Sequence, residues 1–228
     1  MPIDSNAEIE ITAFRWVPPF AEGLVRDLRI RWALEEVERS YRVRLLDATK
    51  PRPSDYFGEQ PWGQVPVYKD HEVQLFESGA ILIHLGLEDE RLLPLDLPSQ
   101  RRGIAWVIAA LNSVEPAIFP LLMTDIFNKG DAWAAEARPK FAERLEQRLK
   151  CLSDALGDGE WLEGRFTIGD LIMVTVLRQL RHTDLLSRFP NLDGLVKRGE
   201  ARPAFQRALS DQLAVFREHE PQTKGETP

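Results

Sequence analysis

The 228-residue chain has few of the residues that usually announce chemistry. It contains one cysteine, Cys151, so no disulfide can close within it and nothing calls for an oxidising compartment. That cysteine sits in Leu149-Lys150-Cys151-Leu152, a helical context in which a lone thiol reads as packing. Four histidines show no ligand spacing, which argues against a metal. With a net charge of −7 and no long basic run, the chain is a poor match for nucleic acid. Its apolar stretches look too short to span a bilayer, and Met1–Glu8 lacks the basic start and apolar core of a signal peptide. Neither repeats nor low-complexity tracts occur, so a cytoplasmic globular protein without a membrane partner is expected.

What is present reads as two regions. Glu8–Phe14 alternates polar and apolar residues as a strand does. After the Val17-Pro18-Pro19 turn, a helix is expected from about Ala21 to Ser40, with Ile30, Ala33, Leu34 and Val37 inward. Arg29, Arg31, Glu35, Glu38 and Arg39 should then lie on its solvated face. Tyr41–Leu46 reads as a second strand, and residues 47–63 as a loop with one short helical turn. Two further strands precede a helix from Glu77 to about Leu87. That order describes a small mixed sheet with helices packed on it. Residues 88–98 read as a linker between a first domain over 1–87 and a second over 99–228. In the second, Ser99–Asn128, Asp131–Gly157, Asp170–Arg181 and Ala201–Glu218 all have helical character, with Gly or Pro in the gaps, so it should be all-helical. The residues from Pro221 to Pro228 read as a polar tail.

The most informative stretch is Gly63-Gln64-Val65-Pro66-Val67-Tyr68 followed by Leu75-Phe76-Glu77-Ser78-Gly79-Ala80-Ile81. Proline at the mouth of a strand need not donate to the ladder. A Val65-Pro66 bond placed there can be cis, turning the backbone polar groups toward a ligand. Glu77-Ser78 puts a carboxylate and a hydroxyl beside the unpaired N–H groups of a helix start. Such a start suits the zwitterionic end of an amino acid, with hydroxyl and amides for its carboxylate and Glu77 for its ammonium. A second motif, Phe166-Thr167-Ile168-Gly169-Asp170-Leu171, has the spacing of a capping box with a hydrophobic staple, a folding element rather than a chemical one.

These two motifs, with Trp161–Arg165 and Ala201-Arg202-Pro203-Ala204, resemble the cytosolic glutathione S-transferase family over residues 8–215. A bacterial member of unassigned class is expected. The resemblance implies a thioredoxin-like N-terminal domain, an all-helical C-terminal domain and a homodimer. It implies glutathione as co-substrate, with Val65-Pro66 at its cysteinyl backbone and Glu77-Ser78 at its γ-glutamyl end. Gln60-Pro61-Trp62-Gly63-Gln64 resembles the family's run ahead of Val-Pro, which places Gln64 at the tripeptide. Lys50, or Arg52 in its stead, would receive the glycine carboxylate. The implied reaction is attack of the glutathione thiolate on an electrophilic small molecule.

The chain departs from the family pattern at one point. In the family a Tyr or Ser just after the first strand donates to the thiolate, and other branches carry a Cys there that makes a mixed disulfide, yet no Ser, Thr, Tyr or Cys occurs between Ala13 and Arg31. Arg15 and Trp16 are the candidate replacements, since both carry donors there, with backbone N–H groups of the Phe20–Gly23 turn as a third option. Phe14, Trp16, Trp106 and Phe119 are candidates to line the electrophile pocket. The missing hydroxyl keeps two alternatives open: a glutathione-dependent reductase, peroxidase or isomerase, and a non-catalytic protein-interaction module of the same fold.

Overall fold

The computed structural model describes residues 3–221, so the expected tail lies, from residue 222 onward, outside the described residues. The strands fall where alternation places them. β1 (Ile9–Phe14) and β2 (Tyr41–Leu46) pair in parallel, with Ile11 opposite Val43. β3 (Val67–Lys69) runs antiparallel to β1, and β4 (Gln74–Phe76) antiparallel to β3, giving the order β2-β1-β3-β4. A parallel pair needs a crossover, and α1 (Asp27–Glu36) supplies it. A mixed thioredoxin-like sheet followed by a helical region is the architecture the sequence implied.

Helix α1 departs from expectation at both ends and on one face; it ends at Glu36 rather than Ser40, with Glu38 at φ +54°. It starts six residues late, after a short 3-10 turn at Pro19–Ala21 and Gly23 at φ +70°, a backbone that the Pro18-Pro19 pair and the glycine favour over a helix. Its supposed solvated face is also buried: Arg29, Arg31 and Glu35 are each 2 % exposed or less. The reason is α8 (Pro203–Glu218), which packs along α1. Trp32 meets the Phe205 ring edge-on at 4.9 Å. Each buried charge there has a partner: Arg31 Nε donates to Asp27 Oδ2 at 2.7 Å, Gln212 Nε2 to Asp27 Oδ1 at 2.8 Å, and Arg207 Nε to Glu35 Oε2 at 2.6 Å. Burial raises the Asp27 and Glu35 carboxyls above their usual range, an effect these partners oppose.

The described residues form two compact units. One runs up to Ile81 and resumes at Pro203; the other is Leu82–Arg202. The boundary falls inside α2 (Ser78–Glu88). In the second unit α3 (Leu97–Ala109) and α4 (Glu115–Leu122) are joined by a π turn at Ala110–Val114, and a second π turn closes the run at Phe127. That continuous helix corrects one expectation. Leu97–Phe127 is 31 residues long with a window of mean hydropathy 1.5, apolar and long enough to cross a membrane. Pro116 and Pro120 do not break it, because the π turns on either side adjust the ladder. Its buried residues Val107, Ala110, Val114, Ile118 and Leu121 face α5 (Ala132–Leu156) and α6 (Ile168–Leu177). Helix α7 (Pro190–Glu200) was not foreseen, although Leu192, Leu195, Val196 and Gly199 recur at helical spacing behind a proline suited to a first turn.

Helix α6 is buried throughout and opens with the expected capping box. Asp170 Oδ2 accepts the Thr167 N–H at 2.9 Å, and Thr167 Oγ1 accepts the Gly169 N–H at 3.1 Å. Asp170 Oδ1 also accepts the Leu162 N–H at 2.8 Å, which ties the preceding loop to the helix. Burial pushes the Asp170 carboxyl up to about 6 against the pull of these bonds. Replacing Asp170 by Ala strands the buried Thr167 N–H and the partly buried Leu162 N–H and should lower unfolding stability by about 2 kcal/mol. Urea denaturation followed by circular dichroism checks this; a loss under about 0.5 kcal/mol would show the box to be dispensable.

Candidate functional site

The first unit carries a cleft of ≈ 290 Å³ between the end of β1, the start of α1 and the segment ahead of β3. Phe14, Leu24, Val25, Arg26, Arg52, Gly63, Gln64 and Val65 line it. Its floor depends on one glycine. Gly63 sits at φ +64°, and a Cβ there would stand 3.0 Å from the Phe57 ring. Arg52 fastens the same loop: its Nε donates to the Gly63 carbonyl at 2.9 Å and its Nη1 to the Asp47 and Lys50 carbonyls at 2.6 and 3.0 Å. The guanidinium stacks 4.8 Å over Phe14.

The Val65–Pro66 bond is cis. On either side of it the backbone is held by two buried hydroxyls. Tyr56 Oη donates to the Gln64 carbonyl at 2.6 Å, and Thr12 Oγ1 accepts the Val67 N–H at 2.7 Å. The hydroxyls are themselves 2.9 Å apart, so a directed chain runs from Thr12 through Tyr56 to Gln64. Burial holds the Tyr56 hydroxyl above its usual range, so it stays protonated and donates at neutral pH. Neither residue was a candidate. A hydroxyl-bearing aromatic inside a polar loop was the available signal for Tyr56, but its reach to Gln64 needed the fold.

The second half of the site is the opening of α2. Glu77 has φ +68°, the left-handed region that a non-glycine residue enters at a cost of about 1–3 kcal/mol. Its carbonyl accepts the Ile81 N–H at 3.0 Å, which makes it the helix cap, while its side chain is exposed. Ser78 is 4 % exposed, and its Oγ receives Arg29 Nη1 at 3.0 Å. Arg26 Nη1 donates to Gln64 Oε1 at 3.3 Å. Helix α1 thus touches both halves of the site, through two arginines that composition alone did not single out.

Of the other candidates, Gln64 and Val65 line the cleft together with Arg52. Lys50 points to solvent, its side chain 74 % exposed and 3.5 Å from Asp47. Arg15 is exposed and Trp16 half-buried, and neither is among the lining residues; Phe14 is. In the second unit Trp106 donates its indole N–H to Glu163 at 2.9 Å, and Phe119 is exposed. Cys151 does not pack inward as expected but lies exposed on α5, because Leu149 and Leu152 take the inward positions.

A sheet unit with this cleft, followed by helices, defines a glutathione-transferase type of fold. The N-terminal domain of the glutathione S-transferase family matches residues 21–86 and its C-terminal domain residues 122–212. The two matches together span more than half of the chain, which belongs to that family. Among curated proteins it is 25 % identical to a probable glutathione S-transferase of Oryza sativa subsp. japonica, GSTF2, over 78 % of this chain and 87 % of that protein. It is 29 % identical to a glutathione S-transferase of Hyoscyamus muticus, over 65 % and 75 % of the two chains. Both are plant proteins, so the expected bacterial origin finds no support. A crystal structure of a glutathione transferase family member from Pseudomonas fluorescens, with two glutathione bound, superposes with a TM-score of 0.78 at 20 % identity, covering 90 % of this chain and 94 % of that one.

Tyr56→Phe should cost about 1–3 kcal/mol, since it strands the Gln64 carbonyl and the Thr12 hydroxyl while removing little volume. Denaturant unfolding measures it. Unchanged stability would mean that the hydroxyl chain does not hold the cis segment.

Proposed function

We propose that this protein is a glutathione transferase that favours attack of the bound thiolate on an electrophilic small molecule. The observation that carries the reading is the convergence on one helix: Arg26, the N-cap residue of α1, holds Gln64, and Arg29 within α1 holds Ser78. The two motifs that the family uses at opposite ends of the tripeptide are thereby fastened to a common support. In this reading Val65 and Pro66 meet the cysteinyl backbone, Glu77 and Ser78 the γ-glutamyl end, and Gln64 with Arg52 the glycine side. Lys50, paired with Asp47 on the exposed surface, is the alternative partner for the same carboxylate. The relative from Pseudomonas fluorescens, described with two glutathione bound, supports the ligand.

The step itself is simple to balance. The thiol releases its proton to solvent water, the thiolate forms a C–S bond to the electrophilic carbon, and the leaving group departs with the bonding pair. No hydroxyl or thiol side chain lines the cleft among the described residues. A cation or backbone N–H must therefore favour the anion. Arg26 is a cation that lines the cleft, whereas Arg15 and Trp16 are not among the lining residues. The same missing hydroxyl favours a second reading, in which bound glutathione serves a reductase, peroxidase or isomerase reaction.

Calorimetric titration with glutathione tests the site. The wild type should bind, and the Glu77→Ala/Ser78→Ala double variant should lose at least about tenfold in affinity with an unchanged circular dichroism spectrum. Equal affinities would sink the assignment. An ultraviolet titration of the bound thiolate band then separates the two readings: a thiol pKa well below that of free glutathione supports the transferase, and no depression supports the second.

We also infer a homodimer, supported by Trp62, which leaves the site loop 68 % exposed. Large apolar side chains presented this way are suited to a self-complementary interface. Sedimentation velocity should show a dimer that Trp62→Ala shifts toward monomer; a monomeric wild type at micromolar concentration overturns the inference.

A further inference from the structure

The contact between Arg29 and Ser78 has a direction. A guanidinium only donates, whereas a serine hydroxyl offers one proton and two lone pairs. With Arg29 Nη1 on its oxygen at 3.0 Å, Ser78 is committed as acceptor toward α1, and its own proton is left to point elsewhere. Among the described residues Ser78 Oγ has no second side-chain or backbone partner. Both residues are almost wholly buried, Arg29 at 2 % and Ser78 at 4 % exposure, so water does not screen the pair. The hydroxyl sits in the first turn of an eleven-residue helix whose cap, Glu77, is held in the left-handed region.

We propose that Arg29 is a positioning residue for an anion: it polarises Ser78 into a dedicated hydrogen-bond donor for the α-carboxylate at the γ-glutamyl end of glutathione. This rests on the tripeptide reading of the cleft. Three features then act in one sense. The buried cation supplies long-range attraction, the N–H groups of the α2 start supply dipole, and the Ser78 proton supplies direction. Glu77, exposed beside them, is left for the ligand ammonium. Arg29 lies a whole helix away in sequence from the Glu-Ser pair it serves, which is why the pair alone gives no hint of it.

The role predicts selectivity between two ligands. Glutathione carries the carboxylate; 4-aminobutyryl-cysteinylglycine is the same tripeptide without it. Arg29→Met, measured by calorimetry, should weaken glutathione binding about tenfold and leave the analogue unaffected, because the lost charge-assisted bond serves only the carboxylate. Arg29→Lys should restore part of the loss. Equal weakening of both ligands would show general loosening and overturn the proposal, as would no weakening of either. If Arg29→Met does not fold, Ser78→Ala decides the matter with Arg29 in place: it should show the same selective loss, and unchanged glutathione affinity would overturn the donor role. A wild type that binds neither ligand refutes the cleft reading itself, an outcome distinct from any of these.

Discussion

The structure of the sheet unit turns on the burial of charge along α1. Asp27, Arg29, Arg31 and Glu35 are all removed from water. A buried charge without a partner costs several kcal/mol, so each of these residues dictates what must stand opposite it. Asp27 and Glu35 require the Gln212 amide and the Arg207 guanidinium on α8. Arg29 requires the Ser78 hydroxyl. One face of α1 is thereby bound to the C-terminal helix and another to the site. The helix is placed by polar matching as much as by its apolar stripe, and the cleft inherits that placement.

Most of the fold was legible because its signals are local. Alternation marks β1 and β2, prolines and glycines mark the turns, and Thr167 with Asp170 announces the start of α6 within four residues. The errors arise where a distant segment decides the outcome. Arg29, Arg31 and Glu35 look solvated until α8 covers them, and α8 follows some 170 residues later. Residues 99–128 read as one helical segment, and what the reading missed was its mean hydropathy of 1.5 over a length sufficient to cross a membrane.

The site divides along the same line. Gln64, Val65, Glu77 and Ser78 were readable as motifs, since backbone shape and side-chain chemistry coincide in a few consecutive residues. Their supports were not. Thr12, Arg26 and Arg29 each act over dozens of residues of sequence, Tyr56 reaches Gln64 across a loop, and each is of a common type whose role exists only in three dimensions. What a short motif shows is the contact surface; the residues that aim it are dispersed. Glu77 belongs to both groups, because its left-handed backbone is a local strain held at the start of α2.

The sheet unit is discontinuous in the chain: it begins before Ile81 and resumes at Pro203. During synthesis the α8 partners of Asp27 and Glu35, Gln212 and Arg207, therefore do not yet exist when α1 is first made, and only Arg31 is at hand for Asp27. The helical unit, Leu82–Arg202, is complete before them and contains its own core. On the ribosome the order of maturation is the reverse of the order of sequence. The nascent sheet segment must wait, with Trp32 and its charged neighbours uncovered, until Phe205, Arg207 and Gln212 have emerged to close over them.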